Sequence, residues 1–283
     1  MGRSKIYNFR NNLTIGIFYR YDTDERLKNL RIILNYYRNN TNCKFIIVED
    51  GPTPTLTSTD LIPPEYSDDK YIFISNENEW NKSKGYNLML NTCNTKCILF
   101  NDVDCIIQPK QIEFAVNYLT SPRSKCIIYP YNGEFVCVDS KTKEEFIQFP
   151  SFDNLYIKYK QMDHTPMPYN YNNAPLFMGH NNSRGGVVMA LVETLKKAGG
   201  YNPNFRGWGY EDDEMPTRVA KLGYEVTRID YPGWPCFHFP HDGEGASRKA
   251  DQPNYNENHK IVQYVENASK EELQNYIETW KSE

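Results

Sequence analysis

The first regular stretch of the chain decides what it can fold into. Residues 13–19, LTIGIFY, are an apolar, β-rich run. Residues 24–38, DERLKNLRIILNYYR, put Leu27, Leu30, Ile33 and Leu34 on one helical face, with Asp24 as the expected cap. Residues 44–48, KFIIV, make a second strand that stops at Glu49-Asp50-Gly51. Strand, helix, strand on this spacing is a βαβ unit, and such units build a parallel sheet. The expected class is α/β.

The pattern continues. A loop rich in Pro, Thr and Ser at 52–64 precedes a strand at 71–75, a helix over 81–92 and a buried strand at 97–101. A helix over 110–120 and a strand at 126–130 follow. From 131 to 181 the periodicity gives way to Tyr-, Asn- and Pro-rich sequence, which predicts a functional surface or poor order. Residues 184–197 read as a strand running into a helix, and 212–222 as a helix closed by Gly223. A strand at 224–229, a glycine-rich loop at 241–254 and two tail helices complete the reading; Ser269 and Glu272 give the second tail helix a capping box. No repeat and no linker divides the 283 residues, so a single domain is expected.

Charge and composition exclude several classes. The net charge of −4 provides no global basic field and argues against nucleic acid as partner. No apolar run approaches the roughly 20 residues of a membrane span, and MGRSKIYNFRNN lacks the apolar core of a signal peptide. The seven cysteines form no CxxC pair; Cys93 and Cys97, four apart, are weak evidence of anything. They read as reduced packing residues. A cytoplasmic location, in a bacterial or viral setting and with no secretory anchor on this chain, is the expectation.

Chemistry concentrates in three places. In FNDVDCI, strand alternation puts Asp102 and Asp104 on one face where an apolar strand ends. Ligands of parallel α/β sheets bind outside such ends, and paired carboxylates suit a hard divalent cation and, through it, a diphosphate. Two solvated loop aspartates are the other reading. Asp50 ends an earlier strand, where it could accept from a uracil or ribose, and Arg20 follows the first strand. Lys82 and Asn87 lie on the helix before the DVD strand; the lysine meets a phosphate or only solvent. His238 and His241, in CFHFPHDGEG, follow a predicted strand. With Asp104 they would make a mixed O/N site for a Mn²⁺-like ion, or one packs and the other is exposed.

The third place is FRGWGYEDDEM, residues 205–215, where Glu211, Asp212, Asp213 and Glu214 follow Trp208 and Tyr210. Acids are favoured in a first helical turn, which accounts for one or two of them and less well for four beside a tryptophan.

DVD, then RGGVVMA, then GWGYEDDE, then a late histidine resembles the GT-A glycosyltransferases of the β-1,4-galactosyltransferase kind. The chondroitin-synthesising and polypeptide N-acetylgalactosaminyl transferases are similar. NKSKGYNLML, GGYNPNFRGWGYEDDE and HDGEGASRKADQ also fit that spacing, and the likeness runs from the opening βαβ unit to about residue 260. The resemblance implies one Rossmann-like domain with a mixed, mainly parallel sheet flanked by helices. Residues 13–130 would form the nucleotide-binding half, 131–260 the acceptor and catalytic half, and 255–283 the C-terminal helices. It implies a metal site of Asp104 and His241, with His238 near a further ligand position, for Mn²⁺ or another divalent cation. Asp212 would be the general base, with Glu211 on acceptor hydroxyls. The donor side would hold Asp50, Arg20, Lys82, Asp102, Gly185, Gly186 and Trp208. The acceptor side would hold Glu211, Asp213, Trp208 and Tyr210. Tyr210 stands where many relatives have glycine, and Arg206 where the galactosyltransferases often carry an aromatic. Glycine-rich 242–247, followed by Arg248 and Lys249, would be a lid next to His241.

The implied reaction is metal-dependent inverting transfer of a hexose from a UDP-sugar to a hydroxyl of a glycan or glycoconjugate. Two alternatives share the motifs: a retaining transferase on the same scaffold and a non-catalytic nucleotide-sugar-binding protein. A phosphodiesterase-like hydrolase would want two ions and more ligands than these.

Overall fold

A computed structural model of the chain describes residues 6–57, 61–62, 67–121, 127–161, 176–178, 183–241 and 254–281, with 176–178 described as backbone. Its strands are β1 (Leu13–Tyr19), β2 (Lys44–Gly51), β3 (Lys70–Ser75), β4 (Cys97–Asp102), β5 (Cys105–Ile106), β6 (Ile127–Tyr129), β7 (Phe135–Val138), β8 (Leu176–Met178), β9 (Val187–Leu191), β10 (Val226–Arg228) and β11 (Cys236–His238). Its helices are α1 (Asp24–Asn40), α2 (Lys82–Thr92), α3 (Pro109–Leu119), α4 (Ser140–Gln148), α5 (Phe152–Lys160), α6 (Val192–Lys197), α7 (Glu211–Lys221), α8 (Tyr255–Asn267) and α9 (Lys270–Lys281). Among the described residues no helix is long and apolar enough to cross a membrane, and Cys43, Cys93, Cys97, Cys105, Cys137 and Cys236 are free thiols.

The large sheet runs β10-β6-β9-β4-β1-β2-β3. All its neighbours are parallel except β9, which lies antiparallel between β4 and β6. This is the mixed, mainly parallel α/β arrangement expected. A smaller sheet, β5-β11-β7-β8, stands beside it. Every residue of β1 is buried, as a strand covered on both faces must be. Helix α1 turns Leu30, Ile33, Leu34 and Tyr37 into the core. Its cap is Thr23 rather than Asp24: the Thr23 hydroxyl accepts from Arg26 N at 3.3 Å, and Asp24 is the first helical residue. Both residue types cap well, so sequence alone does not choose between neighbours.

Residues 131–181 correct the reading of a patternless stretch. Their described part holds β7, β8, α4 and α5. The strands are three or four residues long and pair with distant partners, β7 lying parallel to β11 and antiparallel to β8. So short an element leaves no readable period.

Helix α2 approaches β1 closely because position 85 is glycine. A Cβ there would overlap the Phe18 ring, so the ring or the helix would have to shift. That approach lowers the N-terminus of α2, with Lys82, onto the edge of the sheet.

Helix α7 starts at Glu211, one residue before the predicted start. It ends at Lys221 and is closed by Gly223, which has φ +95 and donates its N–H to Ala220 O, the left-handed ending expected. Of its four leading acids, Glu214 is spent on the fold. It is fully buried and takes a two-pronged bond from Arg218, at 2.6 and 3.2 Å. The same guanidinium donates to the carbonyls of Ala198 and Gly200 and lies over the Trp280 ring. Arg218 therefore locks α7 to α9 and to the turn after α6. Removing one partner of a buried pair strands the other charge, at a cost of about 3–5 kcal/mol. Arg218→Ala should lower unfolding stability in urea by that amount. Asp213→Ala, at a half-exposed position, should change it by less than about 0.5 kcal/mol.

Candidate active site

Three neighbouring parallel strands end on one edge of the large sheet. The register sets Tyr19 beside Glu49 and Phe18 beside Asp102, so Arg20, Asp50 and Asp102 collect there. Asp50 is buried. Its Oδ2 accepts from Arg20 Nη1 at 3.2 Å, Asn76 Nδ2 at 3.2 Å and the Asn81 N–H at 3.3 Å. Its Oδ1 is buried with no hydrogen-bond partner among the described residues. Such an unpaired oxygen costs about 1–3 kcal/mol and is open to a donor from a ligand.

Asp102 is the last residue of β4, whereas Asp104 lies in the turn that follows. The strand alternation that put both on one face does not reach Asp104. The turn is instead shaped by Asn101, whose buried amide donates to Asp102 O at 2.7 Å and Cys105 O at 2.8 Å. Asn101 Oδ1 accepts from the Tyr37 hydroxyl of α1 at 3.0 Å. The two aspartates then meet different partners.

Asp104 meets imidazoles. β5 pairs antiparallel with β11, Cys105 opposite His238, and Phe239 N donates to Asp104 O at 2.8 Å. His238 is thus the last residue of a strand rather than a residue after one. Its Nε2 is 3.5 Å from Asp104 Oδ1, and His241 Nε2 is 3.2 Å from Oδ2. The three ligand atoms lie within 4.8 Å of one another, as do ligand atoms of Asp102, Asp104 and Cys105. Burial works against charge on both partners. The nearby imidazoles nevertheless hold the Asp104 carboxyl well below the usual carboxylate range, and Asp104 holds His238 well above the usual histidine value. One carboxylate and two imidazoles form a donor set that fits a Mn²⁺-like divalent cation.

Asp102 meets an ammonium. Its Oδ1 is 3.1 Å from Lys82 Nζ and accepts from the Tyr86 hydroxyl at 2.9 Å. Lys82, 7% exposed, also lies 3.5 Å from Glu211 and 3.3 Å from Asp212. Burial pulls its pKa down, but Asp102, Asp212 and Glu211 outweigh it and hold the ammonium well above the usual lysine range. Asn87, one turn and a half further on, exchanges two bonds with the Tyr201 backbone.

Asp212 points the same way as Lys82. Burial pushes its carboxyl up; Lys82 pulls it down, Glu211 and Asp102 push it up again, and the result is about 8. Gly185 borders it, since a Cβ there would lie 3.2 Å from Asp212 Oδ2. The neighbouring Gly186, at φ +85, presents its carbonyl to the Asp102 N–H at 2.7 Å. A side chain at 186 would meet the Phe135 ring at 2.6 Å. Glu211 is buried, whereas Asp213 is half exposed and faces Arg184 at 3.6 Å.

Trp208 is half-buried and stacks on Tyr255 of α8 at 6.0 Å with the planes 9° apart. Tyr210, the cap of α7, has φ +74; its hydroxyl bonds that of Tyr255 at 3.0 Å and its ring stacks on His259 at 4.8 Å. Buried Asn258 on the same helix donates to the carbonyls of Arg206 and Gly209. The 242–247 stretch, Arg248 and Lys249 lie outside the described residues.

The structure also brings in residues that motif reading passed over. Tyr86 lies one helical turn after Lys82 and could have been found by that spacing. Arg26, 3.9 Å from Asp104 and bonded to Asp22 at 2.9 Å, gives no signal in sequence. Asn101, Tyr255 and His259 give none either.

Residues 19–183 match the model of glycosyl transferase family 2, and residues 172–242 match one described as the N-terminal domain of galactosyltransferase. Mouse β-1,4-galactosyltransferase 6 is 39% identical over 61 residues, 22% of this chain and 16% of that protein. Human β-1,4-galactosyltransferase 6 is 48% identical over 44 residues, 16% of this chain and 12% of that one. The matched segments thus span less than a fifth of these relatives. A Drosophila β-1,4-galactosyltransferase 7 variant solved with manganese, UDP-Gal and xylobiose aligns over 88% of this chain and 79% of its own, at 13% identity and a TM-score of 0.49. With its family match extending over more than half of its length, the chain belongs to glycosyl transferase family 2.

Proposed function

We propose that this chain is a metal-dependent, inverting glycosyltransferase. It moves a hexose of galactose, N-acetylgalactosamine or glucose type from a UDP-sugar to a hydroxyl of a glycan or glycoconjugate. The observation that carries this reading is the juxtaposition of two centres. Asp104, His238 and His241 lie within ion-holding distance, and Asp212 is joined to the other aspartate of the same DVD turn through Lys82. The short galactosyltransferase matches support the donor class.

Asp104, His241 and His238 would hold Mn²⁺ or another divalent cation, which supplies Lewis-acid stabilisation to a departing diphosphate. Asp50 Oδ1 accepts from the uracil or ribose, and Arg20 orients that carboxylate. Lys82 serves the donor side indirectly, by holding Asp102 rather than by touching a phosphate. Gly185 and Gly186 let the sugar lie against the backbone beside Asp212. Trp208 covers the sugars with its indole face; Tyr210 and Asp213 border the acceptor, and Glu211 accepts from its hydroxyls. In its ionised form, favoured above about pH 8, Asp212 takes the proton of the attacking hydroxyl. The acceptor oxygen bonds the anomeric carbon as the bond to the diphosphate oxygen breaks on the opposite face, so UDP leaves with the electron pair. Residues 13–130 act as the nucleotide half and 131–260 as the acceptor half of one domain.

With Mn²⁺, the purified protein should release UDP from a UDP-hexose, and EDTA should abolish release. Proton coupling constants should report an inverted anomeric centre; a retained one would exclude in-line displacement. Asp212→Asn should cut turnover by about 10²–10⁴-fold while UDP affinity in Mn²⁺ stays. Asp104→Ala should weaken Mn²⁺ and UDP binding together, by more than the 10–100-fold typical of losing an outer partner.

Ionisation of Asp212 also has a stability signature. Between the ordinary aspartate value near 4 and about 8, the folded protein keeps a proton that the unfolded chain has released. Stability from this group is therefore full below about pH 4 and lost as pH rises through about 8. The Tm advantage of Asp212→Asn over wild type should be larger at pH 8.5 than at pH 5, and a constant gap would show that Asp212 ionises as an exposed carboxylate does.

A further inference from the structure

Lys143 is a buried cation that the reaction above does not use. It sits on α4, in the 131–181 stretch, with its side chain 2% exposed. Its Nζ donates to Glu25 Oε2 at 2.7 Å and to the Pro240 carbonyl at 3.2 Å. From the other side Asn29 of α1, fully buried, donates Nδ2 to the same carbonyl at 3.2 Å. Asn29 Oδ1 is buried with no partner among the described residues, so its donation to Pro240 is the bond that justifies an amide there. Burying an ammonium is costly unless it is paired and bonded. Here Glu25 pairs it, and its remaining reach goes to one backbone oxygen.

The residue after that oxygen is His241. One residue before Pro240, Phe239 N is bonded to Asp104 O at 2.8 Å. The proline ring fixes φ between these two anchors. The backbone that delivers His241 is therefore held by the carboxylate's own main chain on one side and by two helices on the other. We propose that Lys143 and Asn29 clamp the Pro240 carbonyl to set the position of His241, and with it the affinity of the Asp104–His238–His241 site for its divalent cation. Lys143 is in these terms a positioning residue. The proposal gives α4 a task at the site and rests on the reading that these three residues hold the cation.

The test uses the full chain, Mn²⁺ and UDP. Lys143→Met should weaken Mn²⁺ binding in calorimetric titration about 10–100-fold, the usual loss when an outer partner of a ligand is removed. UDP affinity without metal should not change, and Lys143→Arg, which restores a donor, should recover most of the loss. In the metal-free protein, amide exchange of residues 236–241 should quicken in Lys143→Met while β1 keeps its protection. Asn29→Ala carries the same readouts should Lys143→Met fail to fold. Wild-type Mn²⁺ affinity together with unaltered exchange in a folded variant overturns the clamp. If the wild-type chain itself binds no Mn²⁺, the reading of the metal site fails, and exchange at 236–241 alone decides the clamp: quickened exchange supports it and unchanged exchange overturns it.

Discussion

A single buried ammonium holds the site together. Lys82 reaches carboxylates from two distant parts of the chain, Asp102 at the end of β4 and Glu211 with Asp212 at the start of α7. Without a cation between them, three acids at this spacing would repel, and burial would strengthen the repulsion. Burial still pushes the Asp212 carboxyl up, and Glu211 and Asp102 add to that push against Lys82, so it holds its proton up to about 8. The position of that ammonium depends in turn on a residue with no charge at all. Gly85, one turn along α2, allows the helix to rest against Phe18.

The DVD turn shows how one short segment serves two environments. Asn101, held by Tyr37 of α1, fixes the carbonyls on either side of Val103-Asp104. Asp102 then faces an ammonium and a phenol, and Asp104 faces two imidazoles. Two carboxylates two residues apart acquire different chemistry from their surroundings alone, as pairs of acids in active sites commonly do. The small sheet makes this possible: β11 is pinned between β5 and β7, so His238 arrives beside Asp104 as part of a strand ladder, without relying on a free loop.

The legible parts of this protein were those whose signal is local. LTIGIFY, DERLKNLRIILNYYR and KFIIV carry their own period, and the βαβ opening follows from it. Gly223 and the Ser269–Glu272 box mark helix ends by chemistry confined to a few residues. Strand ends can be read too, and Asp50, Asp102 and Arg20 share one edge of the sheet. What could not be read depends on distant pairing. β7, β8 and β11 are too short for periodicity and exist because β7 pairs with β8 on one side and, far along the chain, with β11 on the other. The four acids 211–214 look alike in sequence, yet Glu214 is buried with Arg218 while Asp213 meets solvent. Lys82 looked equally fit for a phosphate or for water, and only the packing of α2 on β1 turned it toward three aspartates and glutamates.

Tyr210 bears on why α8 lies where it does. It is the non-glycine residue with positive φ among the described residues, at +74, a conformation that costs a side chain about 1–2 kcal/mol. Glycine would cap α7 there without that cost. The tyrosine instead has its ring stacked on His259 and its hydroxyl bonded to Tyr255, which stacks in turn on Trp208. Buried Asn258 between them ties the same helix to the backbone of the GWG turn. The strain at the cap and the aromatic contacts of α8 therefore belong to one arrangement: the helix that follows the described part of the site holds the turn carrying Trp208, and through Tyr210 it fixes the angle at which Glu211 and Asp212 enter. A glycine cap would relax the backbone and remove the Tyr210 contacts with Tyr255 and His259.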